Sequence, residues 1–347
     1  MSMRRRVIAA ATGAAGLAAA GLAVGVARQR RVIARRGDSP ADFGSLRARP
    51  VTVVADDGVP LHVEVDEADS ELTVVFAHGY ALNLDCWHFQ RALLRERGVR
   101  AVLYDQRSHG RSGRSAPGHA TIDHLGRDLQ QVLDDVVPDG PVVVVGHSMG
   151  GMTIVALAEQ HPELFGDRIV GVGLMSTTAG GLDPSRILFP MVPPRIGGGV
   201  THRTVATLAR GHRSVDRLRR MGRSVAMVAT DLFAFGEEVP PSYVTFVDDM
   251  LSSTPFEVVA EFFPSFRGLD KFHAVEVMSR VPTTILCGTA DRLTSIGHSR
   301  KLHARIQGSH LVEYDGAGHM IGLERHEQVN AELEALLVAA ARETRTA

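Results

Sequence analysis

Val142-Val143-Val144-Val145-Gly146-His147-Ser148-Met149-Gly150-Gly151 is the stretch that decides the fold of this chain. Four β-branched residues in a row, led by Pro141, read as a short strand buried on both faces, the pattern of a parallel sheet. A glycine-flanked serine follows at once, and then a helix-like run from Met152 to Gln160. Strand, G-x-S-x-G and helix in that order describe a turn sharp enough to hold Ser148 in a strained backbone conformation, presented at the strand's carboxyl end. Gly146 and Gly150 keep side-chain carbons out of the crossing between strand and helix. An ordinary serine N-cap would also fit the stretch taken alone.

Working outward, the same alternation recurs on both sides. Upstream, Val51–Val54 and Leu61–Val65 flank Asp56-Asp57-Gly58 as a hairpin. Leu72–Ala77 is a strand ending at His78-Gly79-Tyr80, and a helix follows from about Asp85 to Arg97. Ala101–Tyr104 is another strand, leading into Asp105–Ser112, and Ile122–Val137 is an amphipathic helix with Leu125, Leu129, Val132, Leu133 and Val136 turned inward. Downstream, Ile169–Met175 is a strand, after which the rhythm stops until Thr283–Cys287. Leu302–Ile306 belongs to a helix stopped by Gly308, Leu311–Tyr314 is the last strand, and a helix closes the chain from about Glu324 to Ala340. Strands alternating with crossover helices predict a mostly parallel α/β sheet with flanking helices.

The interruption spans residues 176–279. Helical spacing is visible at Arg203–Leu208, Val215–Met227 and Val244–Leu251, with no clear strand, and phenylalanines gather at positions 233, 235, 246, 256, 262, 263 and 266. Helices inserted between strands predict a lid over the carboxyl edge of the sheet. The core is then 51–175 together with 280–341.

The amino-terminal part has a different composition. Arg4-Arg5-Arg6 precedes an uncharged stretch from Val7 to Ala27, followed by Arg28, Arg30, Arg31, Arg35 and Arg36. Residues 1–36 are therefore read as a membrane anchor or a signal segment, long enough to span a bilayer, with a cleaved export signal and a soluble alanine-rich helix as the alternatives. Arginines at both ends leave its orientation open. Residues 37–50 read as a linker.

Composition narrows the chemistry. A net charge of −1, with 44% hydrophobic and 22% charged residues, describes a globular protein and gives no basic surface for nucleic acid. Cys86 and Cys287 read as buried thiols, and the histidines show no metal-ligand spacing, so neither a metal nor another cofactor is expected. Asp291 and His319 each fall just past a strand end, on the same edge as Ser148. A serine hydroxyl needs a base in reach and a carboxylate to orient that base. Ser148 as nucleophile, His319 as base and Asp291 as acid meet that need. The backbone N–H of Met149, after the nucleophile, and that of Tyr80, after an earlier strand, are the expected oxyanion donors.

From about Val51 to Leu337 the chain resembles the α/β-hydrolase superfamily, in its lid-bearing branch of carboxylesterases, lipases, carbon-carbon bond hydrolases and cofactor-free haloperoxidases. The resemblance rests on His78-Gly79-Tyr80, Asp105–Ser112, Gly146–Gly150, Gly288-x-x-Asp291 and Gly318-His319. It implies an α/β-hydrolase fold, the triad and oxyanion roles just given, and a bracing role for Asp105–Ser112. Ser148 at the elbow and Ala81 after the HG-Y triplet favour acyl chemistry over epoxide opening or dehalogenation. The proline usual shortly after the acid is absent, since Arg292-Leu293-Thr294-Ser295 follows Asp291, which leaves Asp270 as the other candidate acid. The expectation is a serine hydrolase of small, lipophilic acyl esters. A thioesterase or perhydrolase on the same triad and a non-catalytic ligand-binding receptor are the alternatives.

Overall fold

A computed structural model describes residues 24–182 and 223–346. Eight strands form one sheet: β1 (Pro50–Val54), β2 (Pro60–Asp66), β3 (Thr73–Ala77), β4 (Arg100–Tyr104), β5 (Val142–His147), β6 (Ile169–Met175), β7 (Thr283–Gly288) and β8 (His310–Tyr314). Their order is β1-β2-β4-β3-β5-β6-β7-β8, so β5, the strand of valines, lies inside the sheet between β3 and β6. β1 and β2 pair antiparallel with each other, β2 pairs antiparallel with β4, and every later pairing is parallel.

Successive side chains on a strand point to opposite faces, and β5 separates two cores accordingly. Val143 and Val145 join Val74, Phe76, Ala101 and Leu103 in one buried cluster, with Leu94 of α1 (His88–Arg97) and Leu333 and Leu336 of α8 (His326–Thr346). Val142 and Val144 join Val75, Val102 and Tyr104 in another, with Leu129 and Val132 of α2 (Ile122–Val136) and Ile154 of α3 (Met149–Gln160). Each face is covered, which is why β5 shows no polar alternation.

Between β6 and β7 the described insertion contains α4 (Arg223–Ala234), α5 (Pro241–Ser253) and α6 (Phe256–Arg267). Val258, Phe262, Phe266 and Leu269 pack on Met149, Met152 and Ala156 of α3, so α6 lies directly on the helix that follows Ser148. Sequence spacing did not anticipate α6, because Pro264 falls inside it. Proline removes one helical hydrogen bond, and burial of three phenylalanines, Phe262, Phe263 and Phe266, holds the helix regardless. The helix expected at Arg203–Leu208, and most of that at Val215–Met227, lie outside the described residues.

Three further expectations change. The helix expected from Asp85 begins with a 3-10 turn, Leu84–Trp87, capped by the Asn83 side chain on the Asp85 N–H at 2.9 Å. The helix expected at Leu302–Ile306 is α7, Ile296–His303, ending before the loop that Gly308 closes with φ +74°. The segment 37–50, read as a linker, has little regular structure before β1 but is docked: Phe43 stacks on Phe246 of α5 at 4.3 Å and meets Phe89 of α1 at 5.7 Å. Just before it, Arg36 clasps Asp231 of α4 through two bonds of 2.5 and 3.1 Å, and Asp38 accepts the Ser242 N–H at the start of α5.

The anchor expected at residues 7–27 lies outside the described residues up to position 23. The described part enters as a helix over 24–33, whose Ile33 is buried in the first core. Among the described residues no helix is long and apolar enough to cross a membrane.

Candidate active site

Parallel register brings the strand ends into line. Ala77 pairs with Gly146, His147 with Met175, Met175 with Leu286, and Gly288 with Tyr314. The segments after β3, β5, β6, β7 and β8 therefore leave the sheet along one edge, where open α/β sheets bind ligands.

At the centre of that edge Ser148 has φ +53° and ψ −114°, a conformation that costs a non-glycine residue about 1–3 kcal/mol. It persists because the surroundings leave no room to relax. A Cβ on Gly150 would lie 1.9 Å from the carbonyl oxygen of Ala77, and one on Gly146 would lie 2.5 Å from the Gly150 backbone. The Ser148 N–H donates to the Met175 carbonyl at 2.9 Å, and the Thr177 hydroxyl donates to the Ser148 carbonyl at 2.6 Å. The Ser148 side chain makes no capping bond to α3, so the hydroxyl is not spent as an ordinary N-cap. Met149 is the first residue of α3, where a backbone N–H has no acceptor within the helix and the helix dipole favours negative charge.

Asp291 and His319, from the segments after β7 and β8, meet directly: His319 Nδ1 lies 2.8 Å from Asp291 Oδ2. With Nδ1 engaged by Asp291, Nε2 is the ring nitrogen left to take up a proton. The other carboxylate oxygen, Oδ1, accepts the N–H groups of Leu293 and Thr294 at 2.8 and 2.9 Å. Burial opposes ionisation of Asp291, yet the charge and hydrogen bond of His319 and the two N–H groups hold its carboxyl below the usual 3.8. His319 also touches the elbow, since its carbonyl lies 3.0 Å from Nε2 of His147, the residue before Ser148. Asp270, the other candidate acid, is exposed and forms an isolated bridge with Gly180.

Tyr80 sits in the segment after β3. His78 shapes that loop: its Nδ1 bonds the Gly79 carbonyl at 2.7 Å while its Nε2 accepts the Gln106 N–H at 2.9 Å. Burial pushes His78 down to about 4, so the ring stays neutral. The Tyr80 hydroxyl donates to the Val259 carbonyl of α6, and its ring meets Phe266 edge-on at 4.9 Å. Next to it, Ala81 has φ +57°, and its carbonyl accepts the Thr254 hydroxyl at 3.0 Å. The loop carrying the expected oxyanion donor is therefore fastened to the insertion.

Asp105–Ser112 is built as a brace. The Asp105 carboxylate accepts the N–H groups of Leu84 and Arg111, both at 2.8 Å. Arg107 is fully buried and grips Asp128 through two 2.6 Å bonds and Asp57 through bonds of 2.8 and 3.1 Å. Cys86 and Cys287 are buried free thiols.

Sequence reasoning passed over two residues of this edge. The Thr294 hydroxyl lies 2.9 Å from Asp291 Oδ2, 2.7 Å from the Ser176 carbonyl and 3.2 Å from His319 Nδ1. An aspartate followed three residues later by threonine was the available signal, since short polar side chains bond neighbouring backbone in such turns. The second is Glu324, whose carboxylate accepts the Gly318 N–H and, from the insertion, those of Gly236 and Glu237. Its partners are distant in sequence, so no local signal marked it. Away from the edge, Asp57, His119 and His124 hold potential ligand atoms within 4.8 Å of one another. Folding, not sequence spacing, brings them together, and Arg107 already occupies both oxygens of Asp57.

The alpha/beta hydrolase family profile matches residues 74–332. The chain belongs to the alpha/beta hydrolase family. Among solved structures, this hydrolase is similar to a thermophilic esterase from Thermogutta terrifontis, with a TM-score of 0.67, 23% identity and coverage of 84% of this chain and 99% of that one. It is also similar to the enol-lactonase from Burkholderia xenovorans, with a TM-score of 0.66, 24% identity and coverage of 83% and 100%. At these identities the likeness is one of fold. A non-heme haloperoxidase of Rhodococcus erythropolis is 34% identical over 110 residues, 31% of this chain and 38% of its own.

Proposed function

We propose that this hydrolase cleaves carboxylic esters through an acyl-enzyme on Ser148. The observation that carries the reading is the strained Ser148 turn on the same sheet edge as the Asp291–His319 pair, with His147 joining the two. His319 Nε2 takes the Ser148 proton as the hydroxyl oxygen attacks the ester carbonyl, and returns it to the departing alcohol. Asp291 holds the ring and stabilises the imidazolium formed. The N–H groups of Met149 and Tyr80 receive the oxyanion. Water, deprotonated by His319, then releases the acid and frees Ser148.

The insertion acts as a lid in this reading. The apolar contact of α6 with α3, beside Tyr80, supports lipophilic acyl groups as substrates. Residues 7–27 tether the enzyme to a membrane, and extraction of the full-length protein only by detergent is the expected behaviour. Perhydrolysis, with peroxide replacing water in the second step, is the second reading, supported by the likeness to the Rhodococcus haloperoxidase.

The test is labelling by a fluorophosphonate together with turnover of p-nitrophenyl esters of increasing chain length. Wild-type protein is expected to label at Ser148 and to favour medium or long acyl chains, and Ser148→Ala to lose about 10⁶ in kcat. Unlabelled wild-type protein with no turnover overturns the hydrolytic reading. Labelling without turnover supports a ligand-binding receptor instead.

A further inference from the structure

The carboxylate of Glu324 ties two separate parts of the molecule together. One oxygen accepts the Glu237 N–H at 2.7 Å, the other accepts the Gly318 N–H at 2.7 Å, and the Gly236 N–H lies 3.1 and 3.2 Å from the two. Gly236 and Glu237 belong to the insertion, just after α4, whereas Gly318 immediately precedes His319. On the other side of His319, the Met320 N–H donates to the Ala234 carbonyl at the end of α4 at 2.9 Å. Arg292, next to Asp291, donates to the Leu232 carbonyl of the same helix end at 2.7 Å. The last carbonyls of a helix lack partners inside it, and here the segments carrying Asp291 and His319 supply them.

The backbones meet without intervening side chains. A Cβ on Gly236 would lie 2.1 Å from the Gly316 carbonyl oxygen, and one on Gly318 would lie 2.4 Å from the Gly236 nitrogen. His319 is thus held by the N–H before it, the N–H after it and its own carbonyl on His147. One of those three restraints ends on the insertion at Ala234, and a second ends on the Glu324 carboxylate that also holds Gly236 and Glu237. A carboxylate accepting several N–H groups is a stronger fastening than a neutral acceptor.

We propose that Glu324 is a positioning residue for His319: by joining the Gly318 N–H to Gly236 and Glu237, it makes the seating of the insertion and the aim of the histidine a single event. Its catalytic consequence rests on the ester-hydrolase reading, while the clamp itself does not. The residue touches neither nucleophile nor acid, so its loss displaces the base without removing any reacting group. Misplacement of a base by about 1 Å costs on the order of 10²-fold in rate. Glu324→Gln keeps the shape but turns an NH2 toward an N–H donor. Glu324→Ala removes the clamp, and Gly236→Ala leaves the carboxylate in place while forcing the insertion off the Gly316 carbonyl.

Full-length wild-type protein and the three variants are compared by p-nitrophenyl ester kinetics and by amide hydrogen exchange. The expected result is a kcat lowered about ten-fold in Glu324→Gln and about a hundred-fold in Glu324→Ala and Gly236→Ala, with KM changed less than three-fold. Exchange is expected to quicken together at 234–237 and 316–320. Unchanged exchange in Glu324→Gln, or quickening confined to one of the two segments, overturns the clamp. Joint quickening with wild-type kcat overturns the positioning role. If Glu324→Ala does not fold, Glu324→Gln and Gly236→Ala carry the same decision. Wild-type protein inert toward esters and fluorophosphonate overturns the hydrolase reading alone, because the exchange measurement still decides the clamp.

Discussion

The two sides of this site are built from different materials. On the elbow side, backbone lies against backbone: Gly146 and Gly150 leave no room for a single added carbon, and Ser148 is strained because nothing around it yields. On the histidine side, aim is set by polar contacts. Asp291 accepts from His319, Leu293 and Thr294, and Glu324 accepts from Gly318 and the insertion. Close packing fixes a position absolutely but cannot be adjusted in small steps, whereas hydrogen bonds fix direction and can be weakened one at a time. The elbow belongs to the sheet. The histidine is shared between the sheet and the insertion.

Substitutions can break this contrast or sharpen it. After the loss expected from Ser148→Ala, the largest effect is expected from Asp291→Asn, which keeps the geometry but disfavours the tautomer that leaves His319 Nε2 as base: kcat for p-nitrophenyl esters falls about 10⁴-fold, with little loss of stability. A fall below ten-fold would show that Asp291 does not orient the base. On the elbow side the loss should appear in folding. Gly150→Ala drives a methyl group into the Ala77 carbonyl and lowers unfolding free energy by about 3 kcal/mol or more, read from urea denaturation.

Acid acts next. His78 and His147 are buried and held down to about 4 and about 3, chiefly by desolvation. Their unfolded counterparts protonate near the ordinary value of 6.5. The unfolded chain thus binds more protons below pH 6.5, and the stability these rings contribute is full above that pH and lost as pH falls toward 4. The contribution of His78 is on the order of 3 kcal/mol. Denaturation midpoints between pH 7 and 4 check the sign, and His78→Gln should flatten that dependence.

The smallest effect is expected from Thr294→Val, which deletes the hydroxyl beside Asp291 Oδ2 and the Ser176 carbonyl. About 1.4 kcal/mol of lost orientation lowers kcat roughly ten-fold while KM holds. A loss of stability without a change in kcat would place Thr294 with the packing rather than with the aim of the histidine.

Legibility follows the same division. The elbow could be read directly, because a strand buried on both faces, a strained serine and glycines at crossing points leave their mark within ten consecutive residues. Strand ends bearing Asp291 and His319 were readable too, since period and punctuation locate them. α6 was not, because Pro264 interrupts a helix that its buried phenylalanines restore. Nor was the docking of 24–43 on α4 and α5, where Arg36 finds Asp231 far along the chain.

What the sequence by itself determined is the strands and flanking helices of the sheet, their mostly parallel arrangement and the chemical types at each strand end, all of which depend on residues near one another in the chain. Tertiary structure alone decided who touches whom across the site: Tyr80 on Val259, Thr294 on Ser176, and Glu324 on Gly236, Glu237 and Gly318. The physical reason is that hydrogen-bond partners are chosen by proximity after the chain has closed its loops. The Glu324 carboxylate, at the end of the short helix Ile321–Glu324, carries no local sign of the N–H groups, nearly ninety residues away, that the fold will bring to it.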